Sequence, residues 1–183
     1  MAKTILITGA SSGIGASTAK LFLSRGWNVG LIARREDKLA IIANDHGNSL
    51  CVKCDVCQEN QVKNAFQLMV DHFGAVDVLF NNAGIFTPQA RIDQIDINDW
   101  QKSIDVNLTG MFLAAREAFR HMTKSGGRII NNGSISAHTP REGSAPYTST
   151  KHAITGLTKT IALDGRDLNI CCGQIDIGNA HTE

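Results

Sequence analysis

TILITGASSGIG, residues 4–15, places two structural signals side by side. The apolar, β-branched run TILIT (4–8) reads as a strand, and it breaks at Gly9-Ala10-Ser11-Ser12-Gly13-Ile14-Gly15, where a helical period begins. Glycines let the chain turn tightly and let its backbone approach a bound group. The helix that follows offers unpaired N–H groups and the positive end of its dipole. The spacing, Gly9-x3-Gly13-x-Gly15, has a first gap wider by two than G-x-G-x-x-G. A plain strand-to-helix turn uses glycines in the same way. The place of this loop, after the first strand and at the opening of a helix, is what points to a nucleotide.

Outward from this stretch, short apolar runs alternate with segments of helical period. Strands are expected at 4–8, 28–33, 49–54, 76–81, 127–135 and 169–175, and helices at 13–25, 35–46, 58–73, within 97–123 and at 146–165. The strands are nearly continuously apolar, as in a parallel sheet buried on both faces. The pattern predicts an α/β fold: a Rossmann-type, doubly wound parallel sheet flanked by helices on both faces, with ligands at the carboxyl ends of the strands.

The bulk properties narrow the function classes. The 183 residues suit one domain, and 43% hydrophobic with 19% charged residues is ordinary for a globular chain. A formal net charge of +1, with no Lys/Arg run longer than two, indicates neither a nucleic-acid partner nor an anionic membrane surface. No apolar stretch approaches a membrane span, and the β-like run begins too early to leave room for a cleaved signal segment. Five cysteines, an odd number that includes adjacent Cys171 and Cys172, argue against a disulfide framework and for a reducing, cytoplasmic setting. Cys51-x2-Cys54-x2-Cys57 lacks the fourth cysteine or the histidines of a metal site; Cys51 and Cys54 fall on opposite faces of a strand.

The second strand ends Ile32-Ala33-Arg34-Arg35. Sheets of this kind usually place an acid there for a ribose 2′-hydroxyl; a guanidinium at Arg34 suits a 2′-phosphate instead. NADP(H) is therefore favoured, with NAD(H) as the alternative.

The chain's single tyrosine, Tyr147, stands four residues before Lys151, so the two share a helix face. An unperturbed phenol, with a pKa near ~10, is a poor acid or base at neutral pH, and a nearby ammonium is expected to pull it down. Alone, such a pair is commonly just a helix surface. Here it follows the fifth strand, whose end carries Ser134, a donor for the oxygen that Tyr147 would protonate.

With these residues assembled, the sequence resembles the short-chain dehydrogenase/reductase family in its single-domain form. The resemblance runs through TGASSGIG (8–15), CDV (54–56), NNAG (81–84), Asn107 in DVNLTG (105–110), Ser134, Tyr147 and Lys151. It implies that Tyr147 is the acid in carbonyl reduction and the base in alcohol oxidation. Lys151 would lower its pKa and hold the nicotinamide ribose, and Ser134 would orient the substrate oxygen. Asn107 would hold a water linking Lys151 to solvent. Gly9, Ser11, Ser12, Gly13, Ile14 and Gly15 would form the phosphate loop. Asp55 and Val56 would lie against the adenine, Asn82, Ala83 and Gly84 along the ribose side, and Arg34 at the 2′-phosphate. The partners expected are a small alcohol or carbonyl substrate and a second copy of the chain. A homodimer or homotetramer is expected to pack through Ala114, Ala115, Ala118, Ala153, Gly156 and Ala162. A non-catalytic dinucleotide-binding regulatory or scaffold protein of the same fold is the alternative.

Two departures stand out. Where the family has Pro-Gly after the sixth strand, this chain reads Ile175-Asp176, then Ile177-Gly178-Asn179. Family members also continue further, so 1–183 is expected to be the dinucleotide-binding and catalytic domain without the last strand and the substrate lid, with the sixth strand left as an open edge.

Overall fold

Every apolar run read as a strand enters one sheet. A computed structural model describes residues 2–44 and 46–181. The strands are β1 (Thr4–Thr8), β2 (Asn28–Ala33), β3 (Ser49–Lys53), β4 (Val78–Asn81), β5 (Gly127–Asn132) and β6 (Ile170–Ile175). Their order is β3-β2-β1-β4-β5-β6, and every neighbouring pair is parallel. The helices are α1 (Gly13–Ser24), α2 (Glu36–Ala43), α3 (Glu59–Phe73), α4 (Ile97–Ile104), α5 (Gly110–Met122) and α6 (Ala145–Asp164).

Alternation along β1 divides the interior. Ile5 and Ile7 join Ala19 and Leu23 of α1 and Leu39 and Ile42 of α2 on one face. Leu6 joins Phe66 and Met69 of α3 and Leu113, Ala114 and Ala118 of α5 on the other. Cys51 of β3 packs with the first group and Cys54, one residue beyond the strand, with the second. The winding reverses between β1 and β4, so the loops after these two strands diverge and leave a crevice at their carboxyl ends.

The departures from expectation have local causes. The helix expected over 35–46 ends at Ala43 because Asn44 adopts the left-handed conformation (φ 41°); position 45 lies outside the described residues. The segment within 97–123 is two helices joined by a π-helical turn, Asp105–Thr109. Such a widened turn is frequent at functional sites. Strand β5 stops at Asn132 because Ser134 caps a short 3₁₀ turn, Ile135–Ala137, its Oγ accepting from Ser136 N (3.1 Å). On the edge strand β6, Ile170 is buried while Cys171, Gly173 and Ile175 are exposed. Ala114, Ala115 and Ala118, expected at an interface between copies, are buried within the chain and cover its own sheet. Ala153 and Gly156 of α6 are exposed. Among the described residues no helix is long and apolar enough to cross a membrane.

Candidate active site

A cleft of about 630 Å³ opens over the carboxyl ends of the strands. At one end is the loop after β1. Gly9 has φ +67°, and a Cβ there would come within 2.8 Å of the Ala83 Cα, so only glycine fits this contact. Gly9, Ser11, Ser12, Gly13 and Ile14 line the cleft. Gly15 does not: a Cβ on it would strike the Gly9 carbonyl oxygen and lie 2.7 Å from Asn82 Nδ2, so it seats α1 under the loop.

The N-terminus of α1 carries no side-chain cap and no acid in its first turn, leaving its N–H groups for an anion. The Ser12 hydroxyl is engaged elsewhere. Arg35 Nη2 donates to Ser11 Oγ (2.9 Å) and Ser12 Oγ (2.8 Å), and its Nε donates to Ser11 Oγ (3.3 Å). Arg34 lines the same part of the cleft. The sequence reading singled out Arg34; the structure brings Arg35 onto the loop as well, because it is the residue from which α2 starts. An uncapped helix end, a loop without Cβ at its tight point and two guanidiniums make a cradle that a dinucleotide diphosphate fits.

Asp55 and Val56, beyond β3, line the next section with Cys54 and Ala33. The Asp55 side chain is turned to its own loop, accepting from Cys57 N (3.0 Å). Burial pushes the Cys54 thiol up to about 11, with the Asp55 charge adding to it. Cys57 is pushed up to about 12, first by burial and then by Asp55. Only Cys54 lines the cleft, and among the described residues no group of three or more His, Cys, Asp or Glu is arranged to hold a metal.

Asn82, Ala83 and Gly84 form the middle wall. Thr8 Oγ1 accepts from Asn82 N (2.9 Å) and Ala83 N (3.0 Å), and Asn82 Nδ2 donates to Thr8 O (3.0 Å). These bonds tie the end of β4 to the end of β1. Asn132 Nδ2 then donates to Asn82 Oδ1 (2.8 Å), joining β5 to the pair.

Ser134, Tyr147 and Lys151 meet at the far end. Pro146 sits in the first turn of α6, where its missing N–H costs nothing, and the helix then sets Tyr147 and Lys151 on one face. Lys151 is 5% exposed, and its Nζ donates to the Asn132 carbonyl (2.7 Å) while lying 5.4 Å from the centroid of the Tyr147 ring. Burial brings its pKa down to about 8, with the charge of Asp176 working the other way. The Tyr147 phenol is pushed above its ordinary value by burial, against smaller downward effects of the Ser134 hydroxyl and the Arg141 charge. The expected lowering of the phenol by Lys151 is therefore not seen in this arrangement: burial dominates, and the downward effects come from Ser134 and Arg141.

Asn107, fully buried in the π-helical turn, stands behind the cleft wall. Its Oδ1 accepts from Ile85 N (2.7 Å), and its Nδ2 donates to Ile85 O (2.9 Å) and Ser103 Oγ (3.2 Å). It pins the loop after β4 to the junction of α4 and α5. Sequence reasoning missed Asn132, which anchors Lys151, and Phe86, which stacks on Tyr147 (centroids 4.2 Å apart, planes 23° apart) while 77% exposed. The first left a signal, a paired Asn131-Asn132 closing an apolar strand; the second left none.

The comparisons with known proteins agree with this geometry. A model of the family described as short chain dehydrogenase matches residues 3–183. The chain is 34% identical to a 3beta-hydroxysteroid dehydrogenase of Mediterraneibacter gnavus, over 94% of this chain and 64% of that protein. It thus spans less than two thirds of that relative. Among solved structures it is similar to 3-ketoacyl-(acyl-carrier-protein) reductase from Brucella melitensis complexed with NADH (28% identical, TM-score 0.94, covering 98% of this chain and 76% of that one). It is also similar to ElxO with NADP bound (34% identical, TM-score 0.94, 100% of this chain and 76% of that one). A parallel sheet of this order, a glycine loop against Ala83 and a Ser134, Tyr147 and Lys151 cluster accompany a family match over nearly every residue: the chain belongs to the short chain dehydrogenase family.

Proposed function

We propose that the cleft binds a nicotinamide dinucleotide and that the protein is an oxidoreductase interconverting an alcohol with a ketone or aldehyde. The observation that carries this reading is convergence: one cleft holds the phosphate-type cradle at one end and Ser134, Tyr147 and Lys151 at the other. The relatives crystallised with NADH and with NADP are consistent with either nicotinamide.

The loop from Gly9 to Ile14 and the α1 N-terminus would hold the diphosphate, Asp55 and Val56 the adenine, and Asn82, Ala83 and Gly84 the ribose side. The bound nicotinamide supplies or accepts the hydride. Tyr147 gives its phenolic proton to the carbonyl oxygen in reduction and takes one back in oxidation. Ser134 orients that oxygen with its hydroxyl. Lys151, cationic below about 8, binds the ribose hydroxyls. Asn107, at the π-helical turn, seats the water through which Lys151 regains a proton. Arg34 and Arg35 would together favour NADP(H): both line the cleft beside the glycine loop, and a guanidinium suits a 2′-phosphate. A homo-oligomer packing through α6 goes with this reading, and light scattering tests it.

The deciding experiment titrates NADPH and NADH by protein fluorescence and then follows NADPH consumption over a panel of ketones and aldehydes. Tighter NADPH binding with turnover of at least one carbonyl is expected. Binding of neither nucleotide removes the proposal, and binding without turnover of any member leaves a dinucleotide sensor in its place.

A further inference from the structure

Asp176 stands where the sequence departs from its family, and no step above uses it. Its carboxylate serves three donors at once. Oδ1 accepts from the Ser134 backbone N (3.0 Å) and from Gln174 Nε2 (2.6 Å), and Oδ2 pairs with His138 Nε2 (2.8 Å). The carboxylate lies so close to β5 that a Cβ on Gly133 would strike Oδ1. Gln174 is in turn bound to α6: its Nε2 donates to Thr155 Oγ1 (3.1 Å), and its Oε1 accepts from Thr158 Oγ1 (3.3 Å). α6 is the helix that carries Tyr147 and Lys151. From Ser134 to Tyr147 the covalent path is thirteen residues of loop, 3₁₀ turn and helix start. Through Asp176 and Gln174, three hydrogen bonds join Ser134 to Thr155 on the same helix.

We infer that Asp176 is a positioning residue for Ser134: its carboxylate holds the backbone at Ser134 in register with α6, and so sets where the hydroxyl stands relative to the phenol of Tyr147. The inference rests on the proposed role of Ser134 beside Tyr147. The other end of Ser134 is already fixed, because Oγ accepts from Ser136 N (3.1 Å). With N and Oγ both held, the position of the hydroxyl oxygen at the cleft is fixed while its proton is left free to donate. Two effects accompany this arrangement. The Ser134 hydroxyl bears on Tyr147, and the Asp176 charge helps keep Lys151 protonated in its buried position.

Because Tyr147 is the only tyrosine, labelling tyrosine with ¹³C at Cζ gives one NMR signal that reports the phenol's hydrogen bonding, with no cofactor or substrate present. Ser134→Ala, Asp176→Ala and the double variant are compared with wild type at neutral pH. Ser134→Ala is expected to displace the signal, Asp176→Ala to displace it in the same direction, and the double variant to go no further than Ser134→Ala alone. An unmoved signal in either single variant, or additive displacements in the double, overturns the inference. If Asp176→Ala does not fold, Asp176→Asn replaces it. That amide offers one oxygen to three donors, so a partial displacement is expected and an unmoved signal counts against the inference equally. The readout is independent of turnover, so a failure of the proposed activity and a failure of this inference are told apart.

Discussion

Lys151 directs its ammonium at the carbonyl of Asn132, 2.7 Å away, and Asn132 in turn donates to Asn82 beside the glycine loop. Helix α6 and the glycine loop are thereby joined through Asn132 and Asn82.

This placement has a measurable cost. The folded-state pKa of Lys151, about 8, lies below the ordinary lysine value of 10.5, so between these pH values the unfolded chain holds the extra proton. Stability from this group therefore rises as pH climbs from about 8 to 10.5. The difference in unfolding free energy between wild type and Lys151→Met is expected to move in favour of wild type over this window, by up to about 3 kcal/mol. Urea unfolding across the pH series measures it, and parallel pH profiles for the two proteins would refute the assignment.

Removing the phenol should abolish proton transfer and little else. Tyr147→Phe keeps the ring that stacks on Phe86, so the fold and the nucleotide affinity are expected to persist. Turnover is expected to fall about a hundredfold to ten-thousandfold. Steady-state rates with a responsive carbonyl, beside a nucleotide titration, check both halves.

Nucleotide choice should respond to both arginines. Arg35→Ala frees Ser11 and Ser12, and Arg34→Asp sets a negative charge at the same mouth. Each change is expected to weaken NADPH about tenfold or more while affecting NADH less. Paired dissociation constants decide it; an unchanged NADPH-to-NADH ratio in both variants would mean that a 2′-phosphate is held elsewhere.

Gly15 should matter through packing alone. A methyl group there meets the Gly9 carbonyl and the Asn82 amide, so Gly15→Ala is expected to destabilise by about 1–3 kcal/mol. Thermal unfolding without nucleotide tests this. A loss of nucleotide affinity with unchanged stability would instead make Gly15 part of the binding surface.

The fold was readable because period and punctuation agree: apolar runs of strand length, each closed by a turn signal and followed by a helical period. The glycine loop and Tyr147-x3-Lys151 were legible for a related reason, since their geometry is local, within one turn or one helix. Arg35, Asn132, Asp176 and Phe86 were missed because their roles are set by neighbours between about twenty and sixty residues away in sequence, as when Arg35 reaches Ser11 and Phe86 lies on Tyr147. The phenol's pKa was misjudged for the same reason: a lysine at the right spacing is visible in the text, whereas the depth at which both groups are buried is not. The alanines of α5 were read as an outer face because small residues suit either a partner helix or a sheet, and only the packing distinguishes the two.

Strand β1 pairs with β2, which begins at Asn28, on one side and with β4, which begins at Val78, on the other. During synthesis the first partner emerges soon after β1, but the second arrives only some fifty residues later. Until then a strand that the finished fold buries along its whole length has one bare edge, the kind of surface that recruits another chain. The bonds from Asn82 and Ala83 to Thr8 and Gly9 are also out of reach in this interval. The nucleotide loop therefore takes its final shape late, when the segment that ends in Asn81-Asn82-Ala83-Gly84 docks. A nascent chain halted before that point would carry every glycine of the loop and still be unable to hold it closed.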